Sequence, residues 1–200
     1  NSVASMRDGT LLATIPLFPG IEIPDALDGR NTGAVFRWSP GDSGFIEIEG
    51  TGLPYANGIE LSEDEQEFYV ASSGLFTVTA YSNTNPARKL RQTVELDILP
   101  DNLHWDADGL LVTGGLNRAD TGCGTVDHSN EFSLEEFAAC PRPFTILTVD
   151  PQTMEVKTLA SGPANANFSN ITMAVTVGNE LWIGTFAGDR LAYTALAPDD

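Results

Sequence analysis

Residues Leu99–Val112, with the sequence LPDNLHWDADGLLV, contain the pattern on which our interpretation of the whole chain depends. An Asp-Asn pair opens a short apolar alternation, and an Asp/Gly turn then leads into a second apolar run. The same order of features appears in YANGIELSED at 55–64 and in NSVASMRDGTLL at 1–12. Each unit starts with an asparagine just ahead of a predicted strand. The recurrence predicts that three parts of the chain build the same local structure.

A fourth asparagine in an equivalent setting extends the repeat. Asn1, Asn57, Asn102 and Asn170 are separated by 56, 45 and 68 residues. Between them, short apolar or β-branched runs alternate with Gly, Asp, Asn and Pro, which predicts strands at 34–38, 45–48, 68–71, 75–81, 144–149, 154–159, 171–177, 181–186 and 190–193. A four-stranded antiparallel unit that recurs about every 40–50 residues is typical of a β-propeller blade. An immunoglobulin-like sandwich has comparable strands but would not repeat one polar residue in the same register.

The remaining sequence suggests one all-β domain over residues 1–200, with two long loops. The Gly-, Pro- and Asp-rich segments 15–32 and 114–143 are predicted to be loops, and the second is a loop insertion with one short helix. Ser133-Leu134-Glu135-Glu136-Phe137 has the Ser-x-x-Glu pattern of a capping box. Cys123 and Cys140 flank much of that insertion, so they either form a disulfide that staples it or are two unrelated thiols. A disulfide would favour a secreted or periplasmic protein.

The composition excludes several classes of function. The formal net charge of −18 argues against nucleic-acid binding and against attraction to anionic membranes. No apolar run approaches the roughly 20 residues of a membrane-spanning helix. The two cysteines and two histidines do not have the spacing of a zinc site.

The repeated asparagines predict a cation site. Inner strands of a propeller open onto one shared channel, so Asn1, Asn57, Asp101 and Asn102 would bring several oxygen ligands to one point. Carboxylate and amide oxygens are the ligands that Ca²⁺ accepts, and soft ligands are absent from these positions. The alternative is that each asparagine merely forms a local turn.

The same segments resemble the paraoxonase/arylesterase branch of the six-bladed calcium propellers, with gluconolactonase and senescence-marker-protein enzymes as more distant relatives. Ala56-Asn57-Gly58-Ile59 is similar to that family's calcium-asparagine motif, and Asp101-Asn102 to its Asp-Asn motif. Asn1-Ser2-Val3-Ala4 resembles its first Asn-Asp motif. The resemblance implies a six-bladed propeller of which this chain forms roughly the last four blades, with the remainder missing or on another chain.

The resemblance also implies an activity, the hydrolysis of lactones or esters. Asn1, Asn57, Asp101 and Asn102 would then bind the catalytic Ca²⁺, and Asn57, Asp101 and Asn102 would form the catalytic group. The calcium would polarise the substrate carbonyl, and the partners would be a small-molecule substrate and the remaining blades. The family's glutamate ligand and its histidine base pair would lie in those remaining blades.

Other residues are weaker candidates for the pocket. His104 follows Asn102 by two residues and is expected on the same strand face. Asn170 occupies the fourth repeat position, and Gly115 stands where the paraoxonase pattern has a histidine. His128 is expected on the surface, and Pro16, Phe18, Pro19 and Ile21 either form an apolar wall or pack on the body of the protein.

Two other functions fit the sequence. A propeller that binds a small molecule or protein without catalysis would account for the absent histidine pattern. A strictosidine-synthase-like propeller is less compatible, because that class does not use metal chemistry and this chain carries a full Asn/Asp-Asn set.

Overall fold

The chain folds into four consecutive antiparallel sheets, as seen in a computed structural model that describes residues 1–118, 123 and 133–196. Each sheet is a meander, with its strands in chain order from the inside outward. The first comprises β1 Val3–Ser5, β2 Leu11–Ile15, β3 Ala34–Trp38 and β4 Ile46–Glu47, and the second β5 Ala56–Leu61, β6 Glu67–Ser72, β7 Thr77–Ser82 and β8 Lys89–Gln92. The third comprises β9 Ile98–Trp105, β10 Leu111–Asn117, β11 Phe144–Val149 and β12 Val156–Gly162, and the fourth β13 Ile171–Val177, β14 Glu180–Thr185 and β15 Ala192–Ala195.

The turn in the Leu99–Val112 stretch shows how the sequence builds these hairpins. The carboxylate of Asp106 accepts hydrogen bonds from the backbone N–H groups of Asp108 at 3.0 Å and Leu110 at 2.7 Å. Gly109 adopts a φ of +77°, which is unfavourable for residues with a Cβ. The chain therefore reverses between β9 and β10, with Leu111 paired to Trp105.

The sheets pack face to face in the manner of propeller blades. β6 shows the principle, because Phe68 and Val70 belong to the core between the first and second sheets, whereas Tyr69 and Ala71 belong to the core between the second and third. A third core joins the last two sheets through residues such as Ile146 and Ile171. The predicted all-β, propeller-like architecture with four blades in this chain is confirmed. The total of six blades stays a prediction.

A close backbone approach brings the inner strands together. A Cβ on Gly58 of β5 would lie 2.4 Å from the carbonyl oxygen of Asp101 and 2.6 Å from the backbone N of Leu103, both on β9. Only glycine fits there. This approach sets the polar residues of β5 and β9 beside each other.

Two short helices lie in the predicted loops. Helix α2, Leu134–Ala139, lies in the insertion, and its N-cap residue Ser133 accepts a hydrogen bond from the Glu136 N–H. Helix α1, Ile23–Leu27, lies in segment 15–32, for which the sequence predicted only a loop. Glu22 and Asp25 form its capping box. Strand β10 continues to Asn117, so Gly114 and Gly115 lie in a strand rather than in the insertion.

The two cysteines form a disulfide, as one of the two sequence alternatives predicted. Cys123 and Cys140 have Cα atoms 5.7 Å apart, within the usual range for a disulfide. The bond ties Cys140, at the end of α2, to Cys123 within the insertion. Among the described residues, none of the helices is long and apolar enough to cross a membrane.

Candidate metal and substrate site

The inner strands open onto a cavity of about 400 Å³. All four residues that the sequence predicts as cation ligands line it, although they come from segments up to about a hundred residues apart. The polar residues around the cavity are Asn1, Tyr55, Asn57, Ser73, Asp101, Asn102 and Thr172. Asp101 is the only acidic residue among the described residues that line it. The structure thus brings one carboxylate and three asparagine side chains to the same space.

Asn57 is held from two sides and is almost fully buried, with 2% of its surface exposed. The Thr14 hydroxyl donates to the carbonyl oxygen of Asn57, which connects β2 to β5. The Asn57 side chain donates through Nδ2 to the Ser73 hydroxyl at 3.0 Å. Its other polar atom, Oδ1, is buried and has no hydrogen-bond partner in the described part of the chain. An unsatisfied buried oxygen is costly, so its presence suggests a ligand that would satisfy it.

Burial dominates the chemistry of Asp101. Removal from water raises the pKa of this carboxyl to about 7, and a hydrogen bond with the Asn57 side chain lowers it by a smaller amount. The adjacent Asn102 side chain donates through Nδ2 to Asp101 Oδ1 and to the carbonyl oxygen of Thr172, both at 3.2 Å. A bound cation would compensate the buried negative charge.

Tyr55 contributes an aromatic ring next to this carboxylate. Burial raises the pKa of the Tyr55 phenol, and the negative charge of Asp101 adds to the increase. The Tyr55 backbone has a φ of +53°, which is rare for a bulky residue. Its N–H donates to the Thr32 hydroxyl and its carbonyl oxygen accepts from the Ser73 N–H, and these bonds hold the strained conformation.

The other half of the cavity wall is apolar. Its members come from α1, α2 and the ends of strands: Ile23, Leu27, Leu99, Leu116, Leu134, Phe137 and Phe186. The rings of Phe137 and Phe186 stack with their centroids 6.2 Å apart. Arg142 covers the Phe137 ring at 3.9 Å and donates to the Phe137 carbonyl oxygen at 2.6 Å, which supports the end of α2.

The apolar residues at the start of segment 15–32, for which the sequence left two alternatives, are not part of the cavity lining. Segment 15–32 presents Ile23 and Leu27 to the cavity. Pro16, Phe18, Pro19 and Ile21 do not line it, and Phe18 instead packs edge-on against Phe36 with ring centroids 6.4 Å apart.

The three weaker pocket candidates do not line the cavity. His104 lies two residues farther along β9, and its Nδ1 is 3.7 Å from Glu60 Oε1. Asn170 is 1% exposed and donates through Nδ2 to the carbonyl oxygen of Ala138 at 2.7 Å, which attaches α2 to the fourth sheet. A Cβ on Gly115 would lie 2.1 Å from the Leu99 carbonyl oxygen, so this glycine permits close pairing of β9 and β10. His128 lies outside the described residues.

Sequence reasoning missed Tyr55, Ser73 and Thr172 as polar residues of the site. Tyr55 and Thr172 each stand two residues from a repeat asparagine, on its N-terminal and C-terminal side respectively. Their proximity to the repeat asparagines could have been used to predict them as residues of the site. Ser73 lies sixteen residues from Asn57, and only the β5–β6 pairing brings the two together.

The donor set fits a hard cation better than a soft one. Within the described ranges there is no group of three or more His, Cys, Asp and Glu residues that could hold a metal. The available ligands are instead amide oxygens around one carboxylate, with the unsatisfied Asn57 Oδ1 among them. Such oxygen-only sets suit Ca²⁺, which tolerates neutral ligands and variable geometry.

Solved structures of similar fold include three proteins of related kinds. A gluconolactonase from Xanthomonas campestris is 19% identical, with a TM-score of 0.57 over 98% of this chain and 56% of its own. Regucalcin from Agrobacterium tumefaciens, a calcium-binding protein, is 10% identical, with a TM-score of 0.54 over 92% of this chain and 52% of its own. A luciferin-regenerating enzyme is 18% identical, with a TM-score of 0.56 over 92% of this chain and 52% of its own.

At these low identities the similar structures support the fold alone. The chain spans about half the length of the solved structures it matches. No curated protein matches the sequence significantly. The paraoxonase/arylesterase branch in particular is not shown by these comparisons.

The family itself is shown by a match over nearly the whole sequence. The model of the SMP-30/gluconolactonase/LRE-like region matches residues 1–187. The match includes every repeat asparagine and all the residues that line the cavity. The chain therefore belongs to the SMP-30/gluconolactonase/LRE-like family.

Proposed function

We propose that this chain carries the metal-binding part of a calcium-dependent hydrolase of lactones, with esters as further substrates. The observation that carries the proposal is the convergence of Asn1, Asn57, Asp101 and Asn102 on one cavity. Gluconolactonase and regucalcin among the similar structures support a lactone substrate and a calcium cofactor.

The polar half of the cavity would bind the cation. Asn57 would contribute the amide oxygen that has no partner, and Asp101 would contribute the negative charge. Bound there, Ca²⁺ would polarise the carbonyl of the substrate and stabilise the negative charge that develops on its oxygen. Asn102 fixes the Asp101 carboxylate through its Nδ2 and thereby holds the charge in place.

The apolar half would bind and orient the substrate. Phe137 and Phe186 form a stacked pair, and Ile23 and Leu27 from α1 are also part of the apolar wall. These side chains exclude water from part of the cavity, which strengthens electrostatic interactions within it. A cavity of about 400 Å³ suits a small molecule rather than a polymer.

The remaining blades, which we infer lie in a further segment or on another chain, would complete the site and supply further ligands. The disulfide between Cys123 and Cys140 supports a secreted or periplasmic location, because such bonds persist in oxidising compartments.

A binding protein without catalysis is the second candidate. Two observations favour it: among the described residues, no histidine lines the cavity, and Asp101 is its only acidic residue. In this alternative the cation would only help to hold a ligand.

Turnover assays separate the two functions. We expect the protein to hydrolyse a lactone series and aryl esters in calcium, to lose activity with a calcium chelator, and to regain it when calcium is restored. Asp101→Ala should be inactive, whereas the surface variant Asp108→Ala should keep full activity. Turnover that survives chelation would exclude the metal mechanism. Calcium binding with no turnover of any lactone or ester would favour the binding protein.

A further inference from the structure

Ser73 links two inner strands through a short chain of hydrogen bonds. It follows β6 directly and is 7% exposed. Its hydroxyl lies 2.7 Å from the carbonyl oxygen of Pro100 and 3.0 Å from Nδ2 of Asn57. Pro100 immediately precedes Asp101 on β9, so the Ser73 side chain touches both strands that bring ligands to the site.

The direction of these hydrogen bonds is fixed by elementary chemistry. A carbonyl oxygen can only accept, so the single hydroxyl hydrogen of Ser73 must be donated to Pro100. Towards Asn57 the Ser73 oxygen can therefore only accept. The Asn57 amide must present its NH₂ group to Ser73, because the flipped amide would place two acceptors against each other.

This arrangement leaves the amide oxygen of Asn57 for another partner. Oδ1 is buried and forms no hydrogen bond with any residue that the structure describes. Asn102 shows the same polarity, because its Nδ2 makes both hydrogen bonds of the side chain, to Asp101 and to the Thr172 carbonyl oxygen. At both positions the side-chain NH₂ group donates hydrogen bonds within the protein, and the amide oxygen remains available to a ligand.

We infer that Ser73 is a positioning residue that orients the Asn57 amide so that its oxygen can bind the cation. Ser73 itself does not touch the metal or the reacting atoms in this assignment. The inference rests on the proposed calcium site and extends it to a residue that the repeat pattern does not contain.

Ser73→Ala tests the inference, with Ser72→Ala as the matched control. Ser72 is buried like Ser73, and its hydroxyl donates to the Pro54 carbonyl oxygen and accepts from the Leu75 N–H, so neither of these hydrogen bonds involves Asn57. Both variants lose a buried hydroxyl with two hydrogen bonds. A purely structural role therefore predicts similar effects for the two.

Calcium affinity, measured by titration calorimetry, is the first readout. We expect Ser73→Ala to weaken calcium binding roughly 10- to 100-fold, the usual effect of losing a group that orients a metal ligand. Ser72→Ala should change it less than about threefold, well under the effect of losing such an orienting group. The second readout is hydrogen exchange of the Asn57 side-chain NH₂ in calcium-free protein, followed by NMR. It should be slow in the wild type and in Ser72→Ala, and faster in Ser73→Ala, which loses the hydrogen bond to Ser73 but keeps the one with Asp101.

The outcomes distinguish this inference from the proposed function. A wild-type protein that does not bind calcium would overturn both. Calcium binding that Ser73→Ala leaves unchanged, or that Ser72→Ala weakens equally, would overturn the role of Ser73 and leave the proposed function standing.

Discussion

Replacing Asp101 by asparagine should make the calcium-free protein more stable at neutral and alkaline pH. Burial raises the pKa of this carboxyl from 3.8 to about 7 in the folded state, whereas an unfolded chain would ionise near the ordinary value. Each pH unit of difference corresponds to about 1.4 kcal/mol in the free energy of unfolding. The full shift in the pKa of Asp101 therefore lowers the free energy of unfolding of the wild type by at most about 4 kcal/mol.

The sign depends on which state holds the proton. Well below the ordinary pKa of 3.8 both states are protonated, so Asp101 causes no loss of stability. As the pH rises towards 7, the unfolded state releases its proton while the folded state keeps it, and the wild type is progressively destabilised. Asp101→Asn has no such titration. The difference in unfolding free energy, variant minus wild type, should therefore grow by up to about 4 kcal/mol between pH 4 and pH 8.

Urea unfolding in a calcium chelator at a series of pH values measures this difference. Subtracting the wild type cancels the titration of every other group that the two proteins share. Asp150→Asn is the control with the opposite sign, because backbone N–H groups of Thr153 and Gln152 lower the pKa of Asp150. Ionised Asp150 therefore stabilises the folded protein, and this stabilisation is lost as the pH falls. The unfolding free energy of Asp150→Asn should lie furthest below that of the wild type near neutral pH. A variant-minus-wild-type difference for Asp101→Asn that does not change with pH would refute the argument.

Two further predictions concern the strands and the insertion. Gly58→Ala should lower the unfolding free energy by about 1–3 kcal/mol and weaken calcium binding, because its Cβ would lie 2.4 Å from the Asp101 carbonyl oxygen and push β9 away. Gly44→Ala, which has no atom within 4 Å of the new Cβ, is its control, and equal urea midpoints would contradict the prediction. Replacing both Cys123 and Cys140 by serine should lower the free energy of unfolding by about 3 kcal/mol, since the disulfide closes a loop with a sequence separation of 17. Limited proteolysis should then cut the insertion. An unchanged urea midpoint would contradict the predicted loss of stability.

The sequence was most informative where hydrophobic alternation and turn residues coincide. β3, β11 and β13 have the predicted bounds, because each is an apolar run closed by a turn or loop. The strand predicted at 45–48 is reduced to Ile46–Glu47. It is an edge strand, so only one neighbour determines its length.

Helix α1 could not be predicted from periodicity. Its five residues make little more than one turn, which is too short for a helical pattern to appear. The capping contacts of Glu22 and Asp25 and the burial of Ala26 stabilise it, and burial is a property of the folded chain.

The polar and apolar halves of the candidate site also differ in how far the sequence predicts them. The repeat predicted four residues of the polar half, Asn1, Asn57, Asp101 and Asn102, because the inner strands of a propeller open onto one channel. It did not predict Tyr55, Ser73 or Thr172. The apolar half comes from Leu134, Phe137 and other residues outside the repeat, so no spacing pointed to them. For His104, alternation predicted the face of β9 but not the depth along it, and two residues span more than about 6 Å of strand.

The meander order of the sheets has a consequence for how the protein folds. Each sheet pairs only neighbouring segments, so it can form from local contacts, whereas Asn1, Asn57 and Asp101 come from three different sheets. A ligand that needs all three stabilises only the state in which those sheets are docked. Calcium bound there would thus add a polar link between sheets that their hydrophobic cores already join, and would make the unfolding of the three sheets more cooperative.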